Sequence, residues 1–183
     1  MRRIIVEAEI SMDGIVNSPE IWPEIFKYHT DDVADYLNNL LFSCDALLLG
    51  RLTYEVFAEV WPARTGKQAD WINQMPKYVA SRTLKEPLRW NSTLMQGDVV
   101  EELRKLKRSN GKDLVQYGVG ELTRTMLNRG LVDELQLLVF PFTFGKGGRW
   151  FDNMDMKNFK LIECKVFKSG AILLRYGQVV SNI

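Results

Sequence analysis

The hydrophobic pattern of the first quarter of the chain changes between strand-like and helix-like segments. Arg3 to Ile10 alternates in the manner of a strand, and it is followed by Asp13-Gly14, a pair typical of a turn. Asp31 to Phe42 has apolar residues at helical spacing and acidic residues at its start. The apolar run Ala46 to Leu49 then predicts a buried strand that ends on Gly50 and leads into a helix.

The middle of the chain continues this alternation. The pattern predicts, in chain order, short strands at Lys77 to Ser81 and Ser92 to Met95, a helix at Asp98 to Lys107, a strand at Leu114 to Tyr117 and a helix at Glu121 to Asn128. Strands and helices that alternate in this way form parallel crossover units.

The last third predicts antiparallel strands. Glu134 to Phe142 is strand-like, and a glycine-rich stretch at 145–148 ends it. Phe159 to Phe167 and Ala171 to Gln178 flank Lys168-Ser169-Gly170 as a hairpin. We therefore predict one α/β domain over residues 1–183, with a mixed, mostly parallel sheet, helices on both faces and an antiparallel C-terminal hairpin.

Composition excludes several function classes. The formal net charge of +1 removes the bulk electrostatic argument for a nucleic-acid or membrane partner. Two cysteines and one histidine are too few for a disulfide scaffold or a zinc site, so we expect no metal. No segment resembles a signal peptide or the roughly 20 apolar residues of a membrane helix, which predicts a cytoplasmic protein.

The end of the predicted strand at Gly50 has a composition that suits an anion. A strand that leads into a helix presents unpaired backbone N–H groups, and here Arg51 adds a guanidinium and Thr53 a hydroxyl. The alternative is an ordinary strand-to-helix turn with a surface arginine.

Two further strand ends share this character. Gly118 to Leu122 again leads from a strand into a helix, and parallel strands would bring this loop to the same sheet edge as Gly50. Thr123 stands where the dinucleotide fingerprint of the doubly wound fold has its third glycine, so that fingerprint is absent. The cluster Ser81-Arg82-Thr83 suits a phosphomonoester, or is a solvated turn.

Taken in order, these motifs resemble a known family. The chain resembles the dihydrofolate-reductase-like family, in the branch of the reductase domain of bifunctional riboflavin-biosynthesis enzymes. The motifs that carry this resemblance are GRLTYE, YVASRTL, GVGEL, and GLVDEL with PFTFGKGG. The resemblance covers about Arg3 to Gln178. It implies a three-layer α/β fold that binds NADPH at the carboxyl ends of its strands, and usually a homodimer.

The resemblance also implies roles for individual residues. Gly50, Arg51 and Thr53 would hold cofactor phosphates, and Ser81 and Arg82 would face the adenosine 2′-phosphate. The pyrophosphate would be wrapped by the loop Gly118, Val119, Gly120, Glu121 and Leu122. Backbone groups of Ala8 and Ile10 would contact the carboxamide of the nicotinamide.

A proton donor is needed if the acceptor is an imine or a carbonyl. The resemblance suggests Asp13 in the first loop, or Asp32 or Asp35 at the first helix, although acids at a helix start are usually dipole partners. Trp61 is the aromatic residue we favour for the substrate pocket, with core packing as the alternative. His29 is interpreted as a surface or packing residue.

Three functional hypotheses follow. The first is an NADPH-dependent reductase of a small heterocyclic or carbonyl substrate; the others are a nucleotide-binding module without turnover and a dihydrofolate reductase. The chain has no CxxC, so the deaminase chemistry of the bifunctional enzymes is not expected of it, and their ribose-phosphate residues are not recognisable. For a homodimer, the run LQLLVFPFTF offers a candidate surface, or else forms a buried central strand.

Overall fold

An eight-stranded sheet organises the chain. The computed structural model describes residues 1–17, 19–152 and 154–178. The strands are β1 Ile4–Ser11, β2 Ile15–Asn17, β3 Cys44–Gly50, β4 Lys77–Ala80, β5 Ser92–Leu94, β6 Asp113–Tyr117, β7 Glu134–Phe140, β8 Gly148–Arg149, β9 Phe159–Val166 and β10 Ile172–Gln178. The strand order in the large sheet is β5-β4-β3-β6-β1-β7-β10-β9.

The sheet is mixed, as predicted. All neighbouring strands from β5 to β7 are parallel, whereas β10 is antiparallel to both β7 and β9. The antiparallel C-terminal hairpin is therefore confirmed. A second, small sheet joins β2 to β8, and the sequence pattern did not predict it because neither strand exceeds three residues.

Helices cover both faces of the sheet. They are α1 Trp22–Phe26, α2 Asp31–Ser43, α3 Arg51–Val60, α4 Lys67–Gln74, α5 Val99–Arg108 and α6 Glu121–Asn128. Residues of α5 and α6 pack with one side of β1, including Val6 and Ala8. Residues of α2, α3 and α4 pack with the other side, which includes Ile5. The three-layer α/β arrangement is confirmed.

Amphipathic patterning explains why the helices form where they do. In α5, the Asp98 side chain caps the helix by accepting the N–H of Val100 at 2.8 Å, Leu103 is fully buried, and basic residues occupy the last turn. By contrast, α4 was not predicted, because its buried positions are only Ala69 and Ile72.

The central strands are buried on both faces, and this position decides one of the open alternatives. Strand β7 lies between β1 and β10, and six of its seven residues are buried. The first part of the run LQLLVFPFTF is therefore a buried central strand. In the described ranges, none of the helices has the length and apolar run that crossing a bilayer requires.

Candidate functional site

The predicted phosphate loops lie at one edge of the sheet. Strands β1, β3, β4, β6 and β7 run parallel, so their carboxyl ends share that edge. The helix α3 follows β3 there, α6 follows β6 after a short loop, and the segment 81–84 follows β4. Open α/β sheets bind their ligands at this edge.

The loops after β3 and β6 are in direct contact. Gly118 has φ +78°, and a Cβ at this position would lie 2.2 Å from Oγ1 of Thr53. The Gln116 side chain fixes the loop from beneath, since its Nε2 donates to the Gly118 carbonyl at 2.8 Å and to Oγ1 of Thr123 at 2.7 Å. Glycine is required here both by the left-handed backbone and by the close approach of Thr53.

Two other glycines at this edge face open space instead. A Cβ at Gly50 or at Gly120 would meet nothing within 4 Å. Each is the residue that precedes a helix, and neither supplies a side-chain cap to the backbone N–H groups that follow it. The missing side chains leave room for a group to approach these N–H groups, which is what a phosphate at a helix N-terminus needs.

The two arginines of these loops form exposed ion pairs. Nη2 of Arg82 lies 2.7 Å from Oε1 of Glu121, which links the segment after β4 to α6, with side chains 85% and 73% exposed. Arg51 contacts Glu55 at 3.0 Å, one turn along α3. Exposed pairs of this kind are worth at most about 1 kcal/mol, so an incoming anion can compete for either arginine.

The Ser81 hydroxyl has a structural partner on its own segment. Its Oγ accepts the N–H groups of Thr83 at 3.1 Å and of Leu84 at 3.0 Å. These bonds fix the turn that carries Arg82. The structure thus brings together the loops of Gly50, Arg82 and Gly118, while the cofactor roles of their residues stay predictions.

The peptide groups of β1 alternate between its two neighbours. The Arg3 carbonyl accepts from Leu114 of β6, and the Ile4 carbonyl accepts from Asp133, next to β7. By this alternation the peptide groups of Ala8 and Ile10 point to β7, where they are in register with Leu137 and Val139.

The odd-numbered residues of β1 point to β6 instead. The ladder between these two strands ends at the Glu7–Tyr117 pair, because the chain turns away at Gly118. The peptide group of Glu9 therefore faces the space beyond β6, a position that sequence reasoning missed. The alternation of the strand, counted from its first residue, was the available signal.

The Asp13 carboxylate ties two loops together. It accepts the Ser11 hydroxyl at 2.6 Å and the backbone N–H groups of Phe144 at 3.0 Å and Gly145 at 2.8 Å. The Ser11 hydroxyl, followed by these N–H groups, lowers the pKa of Asp13 to about 2. Such contacts stabilise the ionised carboxylate, which is the wrong form for a proton donor. Its catalytic role stays a prediction that this geometry does not favour.

Asp32 also has partners of a structural kind. Its carboxylate accepts the Thr30 hydroxyl at 2.6 Å and the N–H of Lys168 at 3.0 Å, and thereby joins the start of α2 to the C-terminal hairpin. The Thr30 hydroxyl, with the Lys168 N–H next, lowers the pKa of Asp32. Asp35 is exposed on α2. The donor roles of both stay predictions.

Trp61 belongs to an aromatic cluster beside α3. It begins a one-turn helix, and its ring lies 6.1 Å from that of Phe57, which in turn lies 6.3 Å from Tyr117. Arg64 sits over the Trp61 ring at 4.7 Å. The cluster reaches the carboxyl edge through Tyr117, but the substrate role of Trp61 stays a prediction.

A buried acidic group was missed by sequence reasoning. Glu7 is only 4% exposed, and within the described ranges its Oε1 has no hydrogen-bond partner. Burial, with a contribution from the charge of Glu9, raises the pKa of Glu7 well above its ordinary value. Two acids at alternate positions of an otherwise apolar strand were the available signal in the sequence.

Comparison with known proteins agrees with this geometry. A family model for the RibD C-terminal domain matches residues 2–173. The chain belongs to the RibD C-terminal domain family. This RibD-type chain is 29% identical over 188 residues to the uncharacterized protein YyaP of Bacillus subtilis (strain 168), covering 96% of the chain and 94% of YyaP.

Solved structures share the fold of this RibD-type domain. A candidate riboflavin biosynthesis protein from Shewanella sp. PV-4 superposes with a TM-score of 0.80 at 21% identity, covering 97% of this chain and 99% of that one. Dihydrofolate reductase from Enterococcus faecalis, solved with NADP(H), gives a TM-score of 0.67 at 14% identity and 97% coverage of both chains. At these identities the likeness shows the dihydrofolate-reductase-like fold.

Proposed function

We propose that this protein is an NADPH-dependent reductase of a small heterocyclic or carbonyl substrate. The observation that carries the proposal is the contact between strand-end loops at one sheet edge, where Gly118 meets Thr53 and Arg82 meets Glu121. Membership of the RibD C-terminal domain family supports it, as does the fold shared with a reductase that was solved with NADP(H).

The residues at this edge suit a dinucleotide with an extra phosphate. Backbone N–H groups after Gly50 and Gly120 would bind the phosphates, where the open space lies. Arg51 would add a guanidinium to the same group. Arg82 stands at the outer rim of the edge and would distinguish NADPH from NADH by its 2′-phosphate. NADPH supplies a hydride when bound, and the chain's part is to orient the reactants and exclude water.

A nucleotide-binding module without turnover is the second candidate. It is favoured by the structural bonds of Asp13 and Asp32, because both carboxylates are held in the ionised form. A homodimer stays a prediction for either candidate.

An assay of NADPH oxidation separates the two candidates, with the loss of NADPH absorbance as the readout. The panel is 7,8-dihydrofolate with and without methotrexate, 7,8-dihydrobiopterin, aminopyrimidines and small aldehydes. We expect turnover of at least one compound. In Arg51→Ala we expect a higher KM for NADPH. Binding of NADPH without oxidation across the panel would favour the second candidate, and methotrexate-sensitive reduction of dihydrofolate would identify a dihydrofolate reductase.

The matched control for Arg51→Ala is Arg104→Ala. Both arginines are helical, pair with a glutamate on the same helix and are similarly exposed, at 43% and 42%. Arg104 lies on α5 rather than on the helix that follows Gly50. An equal increase of the KM for NADPH in the two variants would contradict a phosphate-binding role for Arg51.

A further inference from the structure

The carboxyl end of β1 carries two acids that the proposed cofactor site does not use. Glu7 and Glu9 lie two residues apart, so their side chains project from the same face of the strand. Glu7 is buried with Oε1 unpartnered in the part of the chain that the structure describes. A buried polar group without a partner is costly, and its retention points to a ligand or a reaction.

The groups that face Glu7 do not neutralise it. Tyr117 of β6 and Gln136 of β7 are in register with it, and the Tyr36 hydroxyl of α2 donates to Oε1 of Gln136 at 2.5 Å. The nearby cation Arg175 of β10 is held by Glu134 at 2.6 Å and by Glu163 at 2.5 Å. Glu9 adds a second acid beside Glu7.

Burial favours the protonated form of Glu7. The pKa of its carboxyl is raised, by burial first and by Glu9 second. A protonated carboxyl can donate a proton to a substrate, unlike Asp13 and Asp32 with their stabilised carboxylates.

A second pair, Glu9 with His29, lies beside this acid. Nε2 of His29 lies 2.9 Å from Oε1 of Glu9, an ion-pair distance, although its N–H does not point along a hydrogen bond. The His29 ring stacks on Phe140 at 5.8 Å, and its side chain is 23% exposed. Glu9 thus has a partner in His29 that is partly exposed to water.

Glu7 also stands beside the candidate nucleotide loop. It is in register with Tyr117, the last residue of β6, and Gly118 follows directly. Glu7 therefore lies next to the strand end that carries the loop in contact with Thr53.

We propose that Glu7 is the proton donor of the reductase, and that its substrate presents an uncharged or weakly basic C=N or C=O group to it. This inference rests on the proposed function. In the reaction the acceptor carbon gains the hydride supplied by NADPH, which is oxidised to NADP⁺, and the π bond breaks. The acceptor nitrogen or oxygen takes the proton of Glu7, whose carboxylate is reprotonated from water.

The same arrangement selects against anions at this wall. The charge of Glu9 repels a phosphate or a carboxylate, whereas the protonated carboxyl of Glu7 donates a hydrogen bond to a neutral acceptor atom. A phosphorylated end of a substrate would therefore have to point away from β1, and the reducible group has to be uncharged or weakly basic.

Glu7→Gln tests the proposal, because glutamine keeps the size and polarity of the side chain but has no proton to transfer. The probe for reduction of a C=N group is 7,8-dihydrobiopterin. Two aldehydes probe the C=O group: glyceraldehyde, which is uncharged, and glyceraldehyde 3-phosphate, which carries an anion. We expect kcat to fall roughly 100-fold or more, with KM and NADPH affinity unchanged, and partial activity in Glu7→Asp. The alkaline limb of the wild-type kcat profile should be absent from Glu7→Gln.

The outcomes separate this inference from the proposed function. Absence of NADPH binding by the wild type would contradict the proposed function itself. Normal NADPH binding with equal kcat in wild type and Glu7→Gln would overturn only the role of Glu7. Faster reduction of the phosphorylated aldehyde than of glyceraldehyde would overturn the substrate class.

A stability measurement decides the matter if no probe is turned over. A carboxyl with a raised pKa in the folded state binds its proton more tightly than in the unfolded state, so the contribution of Glu7 to stability is present at acid pH and is lost as pH rises through the folded pKa. The free energy of unfolding of the wild type should therefore fall more than that of Glu7→Gln between about pH 5 and about pH 8. Identical pH dependences would refute a protonated Glu7 and with it the proposal.

Discussion

The contact between Gly118 and Thr53 allows a quantitative prediction about the geometry of the site. Gly118→Ala adds a Cβ that would lie 2.2 Å from Oγ1 of Thr53, at a backbone φ of +78°. The left-handed backbone costs an alanine about 1–2 kcal/mol. The steric overlap adds about 1–3 kcal/mol. We therefore expect the variant to lose about 2–5 kcal/mol of unfolding free energy.

A second substitution separates these two costs. Thr53→Ala removes Oγ1 and leaves Cβ of residue 53, which lies 3.2 Å from the new methyl group and can give by a few tenths of an ångström. The double variant should recover the steric part, about 1–3 kcal/mol, and retain the backbone part. The single variant Thr53→Ala corrects for the loss of its own contacts in a double-mutant cycle.

Urea unfolding at equilibrium measures all four members of this cycle. Gly120→Ala is the control, because its Cβ would meet nothing within 4 Å and its φ of −177° is ordinary extended backbone. We expect it to cost less than about 1 kcal/mol. Strictly additive effects of Gly118→Ala and Thr53→Ala would refute the contact between the two loops.

The remaining predictions concern cofactor choice and the first loop. Arg82→Ala should reduce the preference for NADPH over NADH, measured as a ratio of dissociation constants, by roughly 10-fold or more, because a charge-assisted bond to the 2′-phosphate is lost; an unchanged ratio would remove Arg82 from this role. Asp13→Asn should cost about 1 kcal/mol at neutral pH, an amount discounted for solvent screening. Because the folded pKa of Asp13 is lowered to about 2, the gap to wild type should close in thermal unfolding as pH falls from about 4 to about 2. A gap independent of pH would contradict the ionised contacts of Asp13 with Phe144 and Gly145.

Periodicity was sufficient to predict the long elements of the fold. The spacing in Asp31 to Phe42 predicted α2, which is observed at Asp31–Ser43, and the hairpin was predicted within two residues at either end. Short or weakly apolar elements such as α4 and β8 carry too few buried positions to leave a periodic signal.

The site was predicted less completely, for a physical reason. Local sequence identifies strand ends that suit an anion, but long-range pairing decides which of them meet, as in the contact of Gly118 with Thr53. The alternating pattern of β1 did not show that both faces of the strand are buried, so sequence reasoning did not single out Glu7 and Glu9. Only the structure shows that the helices packed on this side of β1 bury Glu7.

Titration calorimetry of NADPH into the wild type and Gly120→Ala tests the central claim most directly. A Cβ at position 120 fills space that only a ligand would use, so this variant should fold normally and bind NADPH at least 10-fold more weakly, about 1.4 kcal/mol. We expect saturable NADPH binding by the wild type at micromolar to low millimolar concentration. Absence of NADPH binding by the wild type, or equal affinity in Gly120→Ala, would contradict a dinucleotide site at this edge of the sheet.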